Sequence, residues 1–170
     1  MFNGLEFFTA TCLNWQHLLS DNRHKEIVVN SLKFLVDNKR IDLYGFVIMS
    51  NHVHKLWSKK EEWLDKDVQQ HFSKFTAQQI KFNLLANDLE ELKNYRSTQS
   101  DREYQFWDRR PFSATMNNRI ILEQKLDYIH NNPVKAGLYL LPEEYHYSSA
   151  SYYCGLGYRL NMITHYMEHM

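Results

Sequence analysis

The run IDLYGFVIMSNHVHKLW, residues 41–57, constrains this chain most. Its first half is dense in β-branched and aromatic side chains, as in a well-buried strand. Ser50 and Asn51 are turn formers, and HVHKLW resumes an extended pattern. The run predicts a β-hairpin that turns just before His52. Two strands alone cannot hold such a hairpin in water, so it must belong to a larger, covered sheet.

The flanking sequence supplies the cover. Leu5 to Leu13 reads as a first strand. Asp21 can cap a following helix in which Ile27, Val28, Leu32, Leu35 and Val36 share one face. A second helix is predicted from Trp63 to Leu85, with Val68, Phe72, Phe75 and Ile80 on its apolar side. Asp88 to Tyr104 is polar and fits a short helix and a loop. QFWDRRPFSATM reads as a strand region interrupted at Pro111. Asn117 or Asn118 can cap a last helix through IILEQKLDYIHN, which Pro133 is expected to end at Asn132. The segment VKAG then adds a turn closed by Gly137. The order strand, helix, hairpin, helix, strand, helix predicts an α+β sandwich. In it one antiparallel sheet carries helices on one face and leaves the other for a ligand.

Bulk properties narrow the classes. With 170 residues, 44 % of them apolar, the chain is expected to form one domain over residues 1–170. Its 20 basic and 20 acidic residues cancel, which counts against a protein that coats nucleic acid indiscriminately but allows a local basic groove. Cys12 and Cys154 form no CxxC pair, so two buried, reduced thiols are expected rather than a disulfide or thiolate-zinc site. MFNGLEFFTATCLNWQ lacks a basic segment followed by an apolar run, and no apolar stretch reaches membrane-spanning length. A cytoplasmic protein without membrane contact is the expectation.

Two constellations carry chemistry. His52 and His54 are two apart on a predicted strand, so both imidazoles point to one face and can share a metal ion. An isolated HxH is equally a pair of solvent-facing strand residues. Here the strand is otherwise apolar, and a buried imidazole needs a partner. Without nearby cysteine or an HExxH helix a structural zinc is poorly supported. Two neutral imidazoles leave the ion's charge for an anion such as phosphate. Tyr128 and Asn132 are four apart on the last helix and share its face. The amide could complete a His-His-Asn metal site, and the phenol could attack a polarised phosphorus. A phenol ionises near pH 10, so it is a usable nucleophile and a good leaving group. A phosphotyrosine link therefore retains the energy of the broken phosphodiester for rejoining. The plainer alternatives are a core-edge tyrosine and a helix cap ahead of Pro133.

Together, YGFVIMSNHVHKLW and LDYIHNNPVKAGL resemble the histidine and tyrosine motifs of the one-tyrosine HUH transposases, particularly the REP-associated subgroup. QFWDRRPF is similar to that family's intervening strand and EEYHYSSASYY to its C-terminal element, so the resemblance runs from Phe7 to Tyr153 in order. It implies a ferredoxin-like (RRM-like) fold acting on single-stranded DNA, with hairpins recognised. It implies Mg²⁺ or Mn²⁺ on His52, His54 and Asn132, and Tyr128 as the nucleophile. The products would be a 5′-phosphotyrosine and a free 3′-hydroxyl. Insertion-sequence members are dimers that exchange the tyrosine helix and the REP-associated subgroup includes monomers, so monomer and homodimer are both open. The sequence departs at Lys55, where an aliphatic residue is usual. Tyr139, Tyr145 and Tyr147 lie nearby, so the assignment of Tyr128 rests on its motif.

Lys55, Lys59, Lys60, Arg109 and Arg110 are candidate phosphate contacts, and Trp107, Phe106, Tyr145 and Tyr147 candidate base-stacking residues. His130 is a candidate base for Tyr128. Two other functions fit parts of the pattern: a non-catalytic, RRM-like nucleic-acid binder, and an HxH metal-dependent phosphodiesterase that uses water.

Overall fold

The computed structural model describes residues 4–169. Strand β1 (Leu5–Thr11) leads to helix α1 (Asn22–Asp37), and the hairpin strands β2 (Ile41–Ile48) and β3 (His52–Lys59) follow. Helices α2 (Val68–Asn87) and α3 (Leu89–Lys93) then precede the edge strand β4 (Phe112–Thr115). Helix α4 (Arg119–Lys135) and the short α5 (Ala150–Tyr153) complete the chain. The sheet is antiparallel with strand order β2-β3-β1-β4. Running β1, α1, β2, β3, α2, β4 through that order gives the ferredoxin-like arrangement.

Local chemistry explains the boundaries. Asp21, Asp67 and Asn118 each cap the helix that follows by accepting a backbone N–H. Pro133 does not end α4 but lies inside it, buried. The helix survives because Ala136 N–H still reaches Asn132 O at 3.0 Å, so proline removes only its own donor. Gly137, at φ 74°, supplies the left-handed residue that closes it. The second helix starts at Val68, five residues later than its periodicity suggests, after a short 3₁₀ turn at Glu61–Trp63.

Alternation along β3 sorts its side chains. Val53, Lys55 and Trp57 face α1 and α2, with Phe72 of α2 packed on Lys55. His52 and His54 face the other way, together with Thr9, Phe7, Gly45 and Val47 of the neighbouring strands. That second face is not bare. Helix α4 leans on its β2 side, and a Cβ added to Gly45 would lie 2.6 Å from Leu126 Cδ1. The β1–β4 side stays open, with Phe112 55 % exposed. The tail closes the β2 edge through Ile48 N–H to Tyr147 O (2.9 Å) and Ser149 N–H to Phe46 O (3.0 Å). Cys12 is buried as expected, but Cys154 is exposed. Phe75 also departs from expectation: it is exposed, on the outer side of α2. No described helix is long and apolar enough to cross a membrane.

Candidate active site

His52 and His54 sit at the turn end of β3, with ring centroids 4.7 Å apart. Each has its Nδ1 engaged. His52 Nδ1 is 2.7 Å from Asn51 Oδ1, and His54 Nδ1 is 2.7 Å from Thr9 Oγ1. Such contacts fix the rings and leave Nε2 uncommitted, as outer partners of metal-bound histidines do. Burial holds His52 below the ordinary histidine range. His54 is pushed down to about 3 by burial, then by His52 and Lys125. Both imidazoles are therefore neutral at pH 7, the form that ligates metals. The buried Nε2 of His54 has no hydrogen-bond partner. A neutral nitrogen left unsatisfied inside a protein is costly, and a cation would satisfy it.

Tyr128 arrives from α4. Its ring centroid is 5.2 Å from that of His54 and 6.2 Å from that of Phe7, and its side chain is 42 % exposed. It thus lies on the histidine side of the sheet, outside the helix-packed core. Asn132 follows one turn later, half-buried, displaced along the axis by roughly 6 Å. Among the described residues no third His, Cys, Asp or Glu joins the pair in a metal-binding group. Two neutral imidazoles on one strand face, one of them with an unpartnered nitrogen, suit a divalent ion whose remaining positions are taken by oxygen ligands.

Two cations not singled out by the sequence reading stand beside Tyr128. Lys125 Nζ is 4.9 Å from the Phe7 ring centre and 5.8 Å from that of Tyr128. Lys135 Nζ is 5.7 Å from the Tyr128 ring centre. Their spacings of three and seven residues from Tyr128 placed them on its face, and that signal was readable. His130, the candidate base, is turned away. Its Nε2 meets Ser149 Oγ at 2.8 Å, and burial pushes it down to about 4.

Several expected DNA contacts are corrected. Lys55 is fully buried, with Nζ 3.4, 3.9 and 4.8 Å from the ring centres of Phe72, Trp57 and Phe8. It faces away from the histidines and can touch no DNA. Trp107 is buried against Phe72, with its indole N–H donating to Thr76 Oγ1 at 3.0 Å. Phe106, Tyr145 and Tyr147 are buried as well. Lys59 is tied to Leu64 O and Lys66 O, and Lys60 pairs with Asp42 at 2.6 Å. Both lie at the far end of β3, for Lys59 five residues or roughly 17 Å from His54. Arg109 and Arg110 are exposed and follow Asp108, whose N–H donates to Thr11 O. Because Thr11 pairs with His52, they stand at the histidine end of the sheet.

Strand order and the paired faces define an α+β sandwich with a histidine pair and a tyrosine on one face. Among solved structures, a REP-associated tyrosine transposase bound to a REP hairpin matches with a TM-score of 0.65 and 18 % identity, over 95 % of this chain and 85 % of that one. At that identity the likeness establishes a shared fold. A candidate transposase from Deinococcus radiodurans R1 matches more weakly, with a TM-score of 0.49 and 15 % identity, over 75 % of this chain and 88 % of that one. No protein-family model and no curated protein matches the sequence.

Proposed function

We propose that this protein is a metal-dependent transposase or nickase that cuts and rejoins single-stranded DNA through Tyr128. The observation that carries the reading is the exposed Tyr128 ring 5.2 Å from His54, whose buried Nε2 lacks a partner. His52, His54 and Asn132 would hold Mg²⁺ or Mn²⁺. When bound, the ion would polarise a phosphodiester and stabilise charge that develops on it.

The chain's own groups would do the rest. The Tyr128 oxygen forms a bond to phosphorus while the bond to the 3′-oxygen breaks. The phenol gives up one proton and the released 3′-hydroxyl gains one, so the exchange is neutral overall and needs no ATP. Lys125 and Lys135 place positive charge where the phosphate's oxygens would lie. The solved structure of similar fold is bound to a REP hairpin, so strands carrying a hairpin are the first substrates to test.

The experiment is a denaturing gel of end-labelled single-stranded hairpins incubated with the protein and Mg²⁺ or Mn²⁺. A DNA–protein adduct that disappears in Tyr128→Phe is expected. Cleavage that survives Tyr128→Phe would make the protein a phosphodiesterase using water, and binding without cleavage on any hairpin would make it a binder.

A further inference from the structure

Two large rings are left in solvent beside the histidine pair, although the aromatic residues first considered for stacking are buried. Trp15 is 63 % exposed, and its ring meets His52 edge-on at 6.4 Å. Phe112 is 55 % exposed and touches only the edge of Phe7, at 6.2 Å.

Neither position is a casual surface site. Asn14 and Trp15 both adopt left-handed backbone, at φ 54° and 57°, which a β-carbon disfavours and which bulky residues seldom adopt. The segment is nevertheless firmly mounted. Cys12 N–H donates to Asn51 O at 2.9 Å, Leu13 N–H to Phe106 O at 2.8 Å, and Leu19 N–H to Ser50 O at 2.8 Å. His17 Nδ1 and Ser50 Oγ are 2.7 Å apart. The backbone that carries Trp15 is therefore bonded to the turn that carries His52. Phe112 opens β4 opposite Thr9, the residue whose hydroxyl meets His54. It lies two strands from His54, roughly 10 Å across the sheet. One ring thus stands beyond the turn end of β3 and the other to its side, with the histidines between them.

We propose that Trp15 and Phe112 are stacking platforms for unpaired bases on either side of the phosphodiester held at the histidine pair. The inference rests on the single-strand reading above and goes beyond it by naming what selects a single strand. Every unpaired base offers a π-face to an exposed ring, whereas in a duplex those faces are covered by neighbouring bases. Arg109 and Arg110, just before Phe112, supply the phosphate contacts of that side.

The test separates stacking from charge and from folding. In a Tyr128→Phe background, which lacks the proposed nucleophile, fluorescence anisotropy measures affinity for two labelled probes. One is a mixed-sequence single strand of about 20 nucleotides, and the other is a deoxyribose-phosphate strand of equal length without bases. Trp15→Ala and Phe112→Ala should each weaken binding of the first probe by roughly 5- to 100-fold and leave the second unchanged. Trp15→Phe should recover most of the loss, which a folding defect would not. Trp57 and Trp107 are buried, and the half-buried Trp63 lies past the far end of β3 under Arg40, so the quenching on binding that comes from the exposed Trp15 should be lost in Trp15→Phe. Equal losses on both probes, no loss, or a loss in only one of the two alanine variants overturns the two-sided platform. In those cases the tyrosine reading stands if the adduct forms. Failure of the parent to bind the base-bearing probe overturns the platform, and the tyrosine reading is then decided by the hairpin adduct alone.

Discussion

His54 and Lys55 are neighbours on one strand, both buried, and each has a nitrogen without a hydrogen-bond partner. Their surroundings differ completely. Lys55 points into the layer beneath α2, where three aromatic rings enclose its amine. His54 points to the face where Tyr128 reaches solvent and where the β1–β4 side is uncovered. An orphan nitrogen that nothing can reach is a cost borne by the fold. An orphan nitrogen beside Tyr128, on the half-covered face, is a candidate ligand position. One strand separates the two roles because its side chains alternate.

The comparison can be broken most decisively on the open side. His54→Ala should lower formation of the Tyr128 adduct on the order of 10³-fold or more, with Lys55→Met leaving it unchanged. If both variants lose activity equally, the distinction between the faces fails. A smaller effect follows from acid. Folded His54 and His130 are held at about 3 and about 4, below the ordinary value near 6.5 of an unfolded chain. Between those limits the unfolded state binds protons that the folded state refuses, so stability is full above about pH 6.5 and falls as pH drops. For metal-free protein the loss by pH 4.5 should be on the order of 2 kcal/mol per histidine, measured by urea unfolding. A flat profile from pH 7 to 4.5 would show these nitrogens to be hydrated.

On the closed side, Lys55→Met should raise unfolding free energy by about 1–2 kcal/mol, because it removes a desolvated amine and keeps the volume. A fall in both stability and DNA affinity would return Lys55 to function. The smallest effect compares the two ends of the sheet. Arg109→Ala and Arg110→Ala together should weaken single-strand binding about 3- to 10-fold and flatten its salt dependence. Lys59→Ala and Lys60→Ala should leave both almost untouched, as a filter-binding series across salt concentrations would show.

Much of this was legible in residues 41–57. Period-two alternation placed His52 and His54 on one face, and the Ser50–Asn51 turn placed them at a strand end. The helix cap at Asp21 was legible for a similar local reason, and of the two candidates Asn117 and Asn118 the second caps α4. What could not be read depends on partners distant in sequence. Trp107 is buried by Thr76, 31 residues away. Tyr145 is buried with its hydroxyl on Ile48 O, 97 residues away. Local pattern contains neither contact, so both looked available for stacking. Trp15 was missed for the opposite reason: its left-handed turn leaves no signature in a segment that reads as strand followed by helix cap. Pro133 does not stop α4 as its sequence context suggests, because the neighbouring carbonyls still find donors.

The enclosure of Lys55 has a practical consequence. Its amine lies under α2, so an acylating reagent in solution can reach it only while that helix is lifted from the sheet. Surface amines such as that of the exposed Lys39 need no such event. The late appearance of label on Lys55, followed by mass spectrometry, is therefore a clock that counts the openings of the helical layer. Its rate with and without DNA on the opposite face would show whether filling one side of the sheet quiets the other.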